Sequence, residues 1–204
     1  MYPSLIQYIE SLTPQVEGLS GERKKLLDNI AAYITAQKEA GQKAHLTFIC
    51  THNSRRSHLG QIWAATAAAY YGLHQIYTYS GGTEATAFNP RAVAALQRAG
   101  LGAEKGEGAN PRWQITFSES AAGLECFSKT YDHPANPQKD FAAIMTCSEA
   151  NENCPFIPGA ALRVAIPYED PKIADGTSRE KEVYDERCKQ IAAEMFYMIK
   201  QVMA

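Results

Sequence analysis

The run Cys50-Thr51-His52-Asn53-Ser54-Arg55-Arg56-Ser57 combines residue types that can do chemistry at a spacing that suits it. It follows the apolar stretch Leu46-Thr47-Phe48-Ile49 and opens an amphipathic one, which reads as strand, tight loop and helix start. A loop of this size can curl its backbone N–H groups inward into a nest for an oxyanion. The helix behind it adds its positive N-terminal end. A thiol held there is easier to ionise, and the thiolate is the nucleophile. Arg56 can grip two oxygens of a tetrahedral anion with its planar fork. Thr51, His52, Asn53, Ser54, Arg55 and Arg56 are therefore candidate anion contacts, around a Cys50 thiolate aimed at phosphate or a mimic of it. The run lacks Gly-Lys-Ser/Thr, so it is not a Walker-type loop. A cysteine at a strand end can also be a small core hydrophobe. The spacing, the strand-to-helix context and the Arg-Ser pair outweigh that reading.

Two further constellations stand downstream. Cys147-Ser-Glu-Ala-Asn-Glu-Asn-Cys154-Pro155 sets two thiols seven positions apart in a polar loop. Zinc favours shorter cysteine pairs and needs a second ligand pair, and none is evident. The sulfurs can reach disulfide distance if any local helix unwinds; two unrelated buried thiols is the competing reading. Tyr168-Glu169-Asp170-Pro171 places carboxylates on a loop, where one could protonate a leaving oxygen. Asp-Pro is also common turn chemistry, and Glu169 rivals Asp170 as donor.

The elements that must position these groups follow from periodicity. Residues 1–43 read as two helices, with a capping box of Ser4 and Gln7 in the first. Leu26, Leu27, Ile30 and Ile34 lie on one face of the second, which stops near Gly41. This segment is an N-terminal helical extension serving packing or subunit contact. Residues 44–50 are a strand and 57–71 a helix, with Leu59, Ile62, Trp63, Thr66 and Tyr70 as its core stripe. Residues 75–80 are a second strand closed by Gly81-Gly82. Asn89-Pro90 starts a helix that carries Val93 and Leu96 inward and ends at Gly100. The glycine-rich run 101–111 reads as a loop. Trp113, Ile115 and Phe117 alternate, and with 124–131 across the turn-like Ser120–Gly123 they form a hairpin within 112–131. A polar link, 132–140, leads to a buried strand 141–146; residues 161–166 make the next strand. A helix over 178–202 opens with a Thr177/Glu180 capping box and lines its inner face with Tyr184, Ile191, Met195, Met198 and Val202.

Alternating strands and helices imply an α/β fold: a central, mostly parallel four-stranded sheet flanked by helices, with the N-terminal extension and an inserted β-hairpin. Such sheets bind ligands at the carboxyl ends of their strands, where Cys50, Ser80, Cys147 and Pro167 all fall.

The 204 residues suffice for one α/β domain (44–204) plus the extension (1–43). A net charge of −2 implies no general affinity for polyanions, and no nucleic-acid motif is present. Met1-Tyr-Pro-Ser-Leu-Ile lacks the basic start and apolar core of a secretory signal. No apolar run approaches membrane-spanning length. Five cysteines, at 50, 126, 147, 154 and 188, make an odd count that fits a reducing, cytoplasmic setting. Cys126 and Cys188 read as structural, and His45, His58, His74 and His133 show no metal-ligand spacing. His52 reads as pointing to solvent. Tyr70-Tyr71 and Tyr77-Tyr79 read as packing.

Taken together, the loop 50–57, Ser80-Gly81-Gly82-Thr83, Cys147…Cys154-Pro155 and Asp170-Pro171 resemble the low-molecular-weight protein tyrosine phosphatase superfamily. Within it, the chain is most similar to thioredoxin-coupled arsenate reductases, over residues 44–204 in order. The Cys-x5-Arg-Ser loop carries the superfamily resemblance, and the Cys-x6-Cys pair carries the reductase branch. The resemblance implies that Cys50 attacks the oxyanion and that Arg56 and the loop amides hold its oxygens. Ser57 donates to the thiolate, Asn53 braces the loop, and Asp170 protonates the leaving oxygen. Cys147 then attacks Cys50, arsenite leaves, and Cys154 attacks Cys147. Thioredoxin reopens the Cys147–Cys154 disulfide by thiol–disulfide exchange, so it is the implied partner and electron donor, with no tightly bound cofactor and no metal.

Two positions depart from that pattern. Arg55 stands where the family usually has a second loop cysteine, adding positive charge beside the anion if it points inward. Gln61 stands where some reductases carry a potassium-binding Glu, so that site is not carried over. The alternative activity is hydrolysis of phosphomonoesters, including phosphotyrosine, through a Cys50 phosphocysteine; it needs Cys50, Arg56 and Asp170 but neither Cys147 nor Cys154. A third reading is a non-catalytic thiol sensor.

Overall fold

The computed structural model describes residues 1–120, 122–154 and 156–203. In chain order its elements are helices α1 (Pro3–Glu10), α2 (Thr13–Glu17) and α3 (Gly21–Glu39), strand β1 (Ala44–Cys50), helix α4 (Arg56–Tyr70), strand β2 (Ile76–Gly82) and helix α5 (Pro90–Arg98). Strands β3 (Gly102–Lys105), β4 (Trp113–Thr116), β5 (Leu124–Cys126) and β6 (Phe141–Met145) follow, then helix α6 (Ser148–Asn153), strand β7 (Ala160–Ala165), a 3₁₀ turn (Pro171–Ala174) and helix α7 (Glu180–Gln201).

The central sheet has the order β2-β1-β6-β7, and all three pairings are parallel. Side chains alternate across it, as a period of two requires. Leu46, Phe48, Ala142, Ile144 and Val164 point into the main core beneath α3, α4, α5 and α7. Ile49, Phe141, Ala143 and Met145 point the other way, into a smaller cluster that Cys50, at the end of β1, joins with Cys147, Ala150 and Ile157 and that α6 covers. Cys50 and Cys147 thus share one thin layer because β1 and β6 are neighbours in register.

The N-terminal segment forms three helices rather than two. The expected Ser4/Gln7 box is absent because Pro3 takes the first helical position, which puts the N-cap at Tyr2 with no side-chain bond. Ser20 caps α3 by accepting from the Arg23 N–H at 3.1 Å. Leu5, Leu27, Ile30 and Ile34 enter the same core as Trp63, Tyr184 and Met198.

The glycine-rich run expected as a loop contains β3, which pairs antiparallel with β4; β4 pairs with β5. The hairpin is therefore two thirds of a three-stranded sheet. Tyr70, placed on the core stripe of α4, is 41% exposed and packs edge-on against Tyr71 and Phe196. At the start of α7 the box is shifted: Glu180 accepts from the Gly176 N–H at 2.7 Å, and Thr177 Oγ1 accepts from the Arg179 N–H at 3.3 Å. Ala121 of the expected turn and Pro155 lie outside the described residues.

Candidate active site

The loop after β1 is pulled outward by its carbonyls. Thr83 N donates to Cys50 O (3.2 Å), Glu84 N to Thr51 O (2.8 Å) and Asn89 N to Ser54 O (2.9 Å). His52 O accepts from Ser128 Oγ and Thr86 Oγ1, each at 3.1 Å. In a planar trans peptide the next residue's N–H points opposite its carbonyl. The N–H groups of Thr51, His52, Asn53 and Arg55 are thereby turned toward the inside of the loop, as an anion nest requires.

Ser80-Gly81-Gly82-Thr83 makes this possible. A Cβ on Gly82 would stand 2.6 Å from Thr51 O and 2.7 Å from Asn53 N, and one on Gly81 would stand 2.8 Å from Tyr131 N. Only glycine lets β2 lie this close to the loop and to the segment 129–131. Gly82 N donates to Lys129 O, and Tyr131 N to Gly82 O, each at 2.9 Å.

Inside the loop a directed chain of donors ends on the cysteine. Lys129 N–H donates to Asn53 Oδ1 (2.8 Å), and Asn53 Nδ2 donates to Ser57 Oγ (2.8 Å). The Ser57 O–H is left to donate to Cys50 Sγ, 3.1 Å away. Asn53 is fully buried and adopts a left-handed φ of 43°, a conformation asparagine tolerates better than most residues. Asn53→Ala should destabilise the fold by roughly 2–4 kcal/mol, combining lost buried hydrogen bonds with backbone strain. Asn53→Gly removes the bonds but not the conformational freedom, so it should cost about 1 kcal/mol less. Urea unfolding of the pair separates the two contributions.

Arg56 holds the far wall. Its Nη1 donates to Tyr168 O (2.9 Å) and its Nη2 to Asp170 Oδ2 (2.8 Å). Asp170 Oδ1 caps the 3₁₀ turn through Lys172 N at 3.0 Å. Glu169, the rival donor, is 92% exposed at its side chain and lies beside Arg187. Arg55 does not enter the loop. Its Nε donates to Tyr184 Oη at 2.9 Å, and its guanidinium lies 3.9 Å from Asp170 and 3.7 Å from Asp175. His52 faces outward toward Glu84 at 3.8 Å, and Ser54 Oγ donates to Ala87 O at 2.8 Å.

Thr51 stands between the loop and the second thiol. Its Oγ1 lies 3.5 Å from Cys147 Sγ and donates to Glu149 Oε2 at 2.9 Å. Cys147 is the N-cap of α6, its Sγ accepting from Ala150 N at 3.4 Å. Cys154 is the C-cap of the same helix and is half-buried. Seven residues at a helical rise separate the two by about 10 Å, beyond disulfide reach, so pairing them requires α6 to unwind. Arg163 on β7 holds the helix closed, donating to Asn151 O and Oδ1 (2.7 Å each) and to Cys154 O (3.1 Å).

Several participants carry no motif. Glu149, Tyr168, Tyr184 and Ser128 act through partners distant in sequence. Lys129 is 5% exposed, with its ammonium over the Phe127 ring at 4.6 Å; a lone lysine in the uncharged run 127–131 is the only sequence signal for it. Burial pushes the Lys129 ammonium down to about 8 from 10.5. Between those values the unfolded chain holds the extra proton, so this group makes stability rise with pH, fully above 10.5 and lost as pH falls through 8. Wild type should therefore gain on Lys129→Met by roughly 1–3 kcal/mol across that window, read from urea midpoints at each pH.

Burial, with Lys129 nearby, holds His58 well below the ordinary imidazole range. Its neutral ring stacks on Phe88 and meets Ser80 Oγ at 3.1 Å. Burial pushes Cys126 and Cys188 each up to about 12, which leaves neither a nucleophile at neutral pH. Among the described residues no cluster of three or more His, Cys, Asp or Glu could hold a metal, and no helix is long and apolar enough to cross a membrane.

No family model matches the chain. Among solved structures, a low-molecular-weight phosphotyrosine phosphatase from Vibrio cholerae O395 superposes with a TM-score of 0.51 at 15% identity, covering 77% of this chain and 95% of the other. An arsenate reductase in its phosphate-binding state gives 0.51 at 21% identity, covering 78% and 98%. These define the class of the fold, that of the low-molecular-weight phosphatases. An arsenate reductase from Halalkalibacterium halodurans is 31% identical over 139 residues, 68% of this chain and 82% of the relative. One from Bacillus licheniformis is 29% identical over 147 residues, 72% and 88%. At that likeness the chain belongs to the arsenate reductases, on the fold of the low-molecular-weight phosphatases.

Proposed function

We propose that this protein reduces arsenate to arsenite through three cysteines and is regenerated by thioredoxin. Cys50 Sγ attacks arsenic, and the displaced oxygen leaves as water with a proton from Asp170. Arg56 and the inward amides carry the charge of the bound anion. Cys147 then attacks Cys50 Sγ. The As–S bond breaks with its electron pair going to arsenic, which becomes arsenite as two thiols become a disulfide. Cys154 attacks Cys147, freeing Cys50, and the dithiol of thioredoxin reduces the Cys147–Cys154 bond.

The observation that carries this reading is the second thiol in the first one's pocket: Cys147 Sγ, 3.5 Å from Thr51 of the anion loop, within the same buried cluster as Cys50. A phosphatase has no use for it. Names of relatives support the same substrate. Phosphomonoester hydrolysis is the competing activity, because Cys50, Ser57, Arg56 and Asp170 form a set that works without Cys147. The test is arsenate-dependent NADPH oxidation with thioredoxin and thioredoxin reductase. Turnover is expected. Its absence in reduced, folded protein, with aryl phosphate hydrolysed instead, would overturn the proposal.

A further inference from the structure

One side chain of the N-terminal helices reaches the loop that carries the acid. Arg23, in the first turn of α3, donates through Nε to Glu194 Oε2 at 2.9 Å. Its Nη2 lies 3.2 Å from Ile166 O and 3.4 Å from Pro167 O. The guanidinium sits over the Tyr168 ring, 4.8 Å from its centre, and Tyr168 Oη donates to the same Glu194 oxygen at 2.7 Å. Glu194 is 1% exposed, so Arg23 is the positive charge that makes its ionised form tolerable in the core.

The other side of this segment is already tied down. Ile166 N donates to Met145 O (2.9 Å) and Tyr168 N to Thr146 O (3.1 Å), while Pro167 has no N–H to offer. The carbonyls of 166 and 167 therefore take their donor from α3. The next carbonyl, of Tyr168, accepts from Arg56, and two residues on Asp170 takes that guanidinium's other arm.

We infer that Arg23 is a positioning residue: through Ile166, Pro167, Tyr168 and Glu194 it sets where Tyr168 O and Asp170 stand, and with them Arg56. This rests on the proposed roles of Arg56 in binding and Asp170 as acid. Displacing a reacting group by about an ångström costs up to about a hundredfold in rate, whereas the loop amides still bind the anion.

The test compares Arg23→Met, Arg23→Lys and the double variant Arg23→Met with Glu194→Gln, in which no buried charge is left unpaired. Steady-state kinetics on arsenate and on p-nitrophenyl phosphate are read beside amide exchange across 166–174. For Arg23→Met we expect kcat to fall about ten- to a hundredfold with KM within about threefold, and exchange to quicken at 166–172 more than elsewhere in the sheet. Arg23→Lys restores part of the rate, since it keeps the charge opposite Glu194 but cannot span carboxylate and carbonyls together. The double variant stays slow although its urea midpoint returns toward wild type. Wild-type kcat and exchange in the double variant would overturn the inference, as would exchange quickened uniformly across the sheet. Failure of the functional reading shows separately, as wild type inactive on arsenate; the exchange pattern then decides on Arg23 by itself.

Discussion

Cys50→Ser is expected to lower arsenate turnover by roughly a thousandfold or more, since a serine hydroxyl is not ionised at neutral pH and cannot form the thiol adduct. The fold should survive, because the change is nearly isosteric and Ser57 can hydrogen-bond the new hydroxyl as it does Cys50 Sγ, 3.1 Å away. Arsenite production measured beside the urea midpoint checks both halves. Residual activity within tenfold of wild type would move the nucleophile elsewhere. Cys126 and Cys188 would be poor substitutes, being fully buried with thiols pushed up to about 12.

The second large effect separates the two activities. Cys154→Ser should release one arsenite per chain and then stop, leaving Cys50 and Cys147 joined and the protein two hydrogens lighter by mass. Cys147→Ser should release none in a single turnover. Hydrolysis of an aryl phosphate should pass through both substitutions within about threefold, since the chemistry it needs ends at Cys50, Arg56 and Asp170. Full multiple turnover of arsenate by Cys154→Ser would remove that residue from the relay and require an external thiol to attack at Cys147.

The shape of the loop after β1 was legible because its contacts are local. Cys50, Asn53, Arg56 and Ser57 fall within eight residues, and the strand ahead of them ends where the apolar alternation stops. The cap of α5 was legible for the same reason: Asn89 and Pro90 act on their own first turn. What the sequence concealed depends on distant partners. The direction of Arg55 is set by Tyr184 and Asp175 on and before α7. Strand β3 runs through glycine-rich sequence that favours a loop, and its ladder with β4 overrides that preference. That Asp170 rather than Glu169 meets the loop depends on Arg56, over a hundred positions earlier. The brace from Lys129 to Asn53 is made by a backbone amide, which no residue type announces.

If the proposed relay operates, Arg163 gives it a direction. In the dithiol state α6 is wound and clamped at Asn151 and Cys154; joining Cys147 to Cys154 has to melt the helix and release the clamp. Part of the driving force of oxidation is thereby held as lost structure in the disulfide form. Each ~1.4 kcal/mol so stored raises the pair's reduction potential by about 30 mV, making the disulfide easier for a mild dithiol donor to reduce. In that proposed cycle the helix would work as a return spring: once the bond is cut, refolding of α6 onto Arg163 would draw the two sulfurs apart and restore Cys147 to its place beside Thr51, with no further input from the reductant.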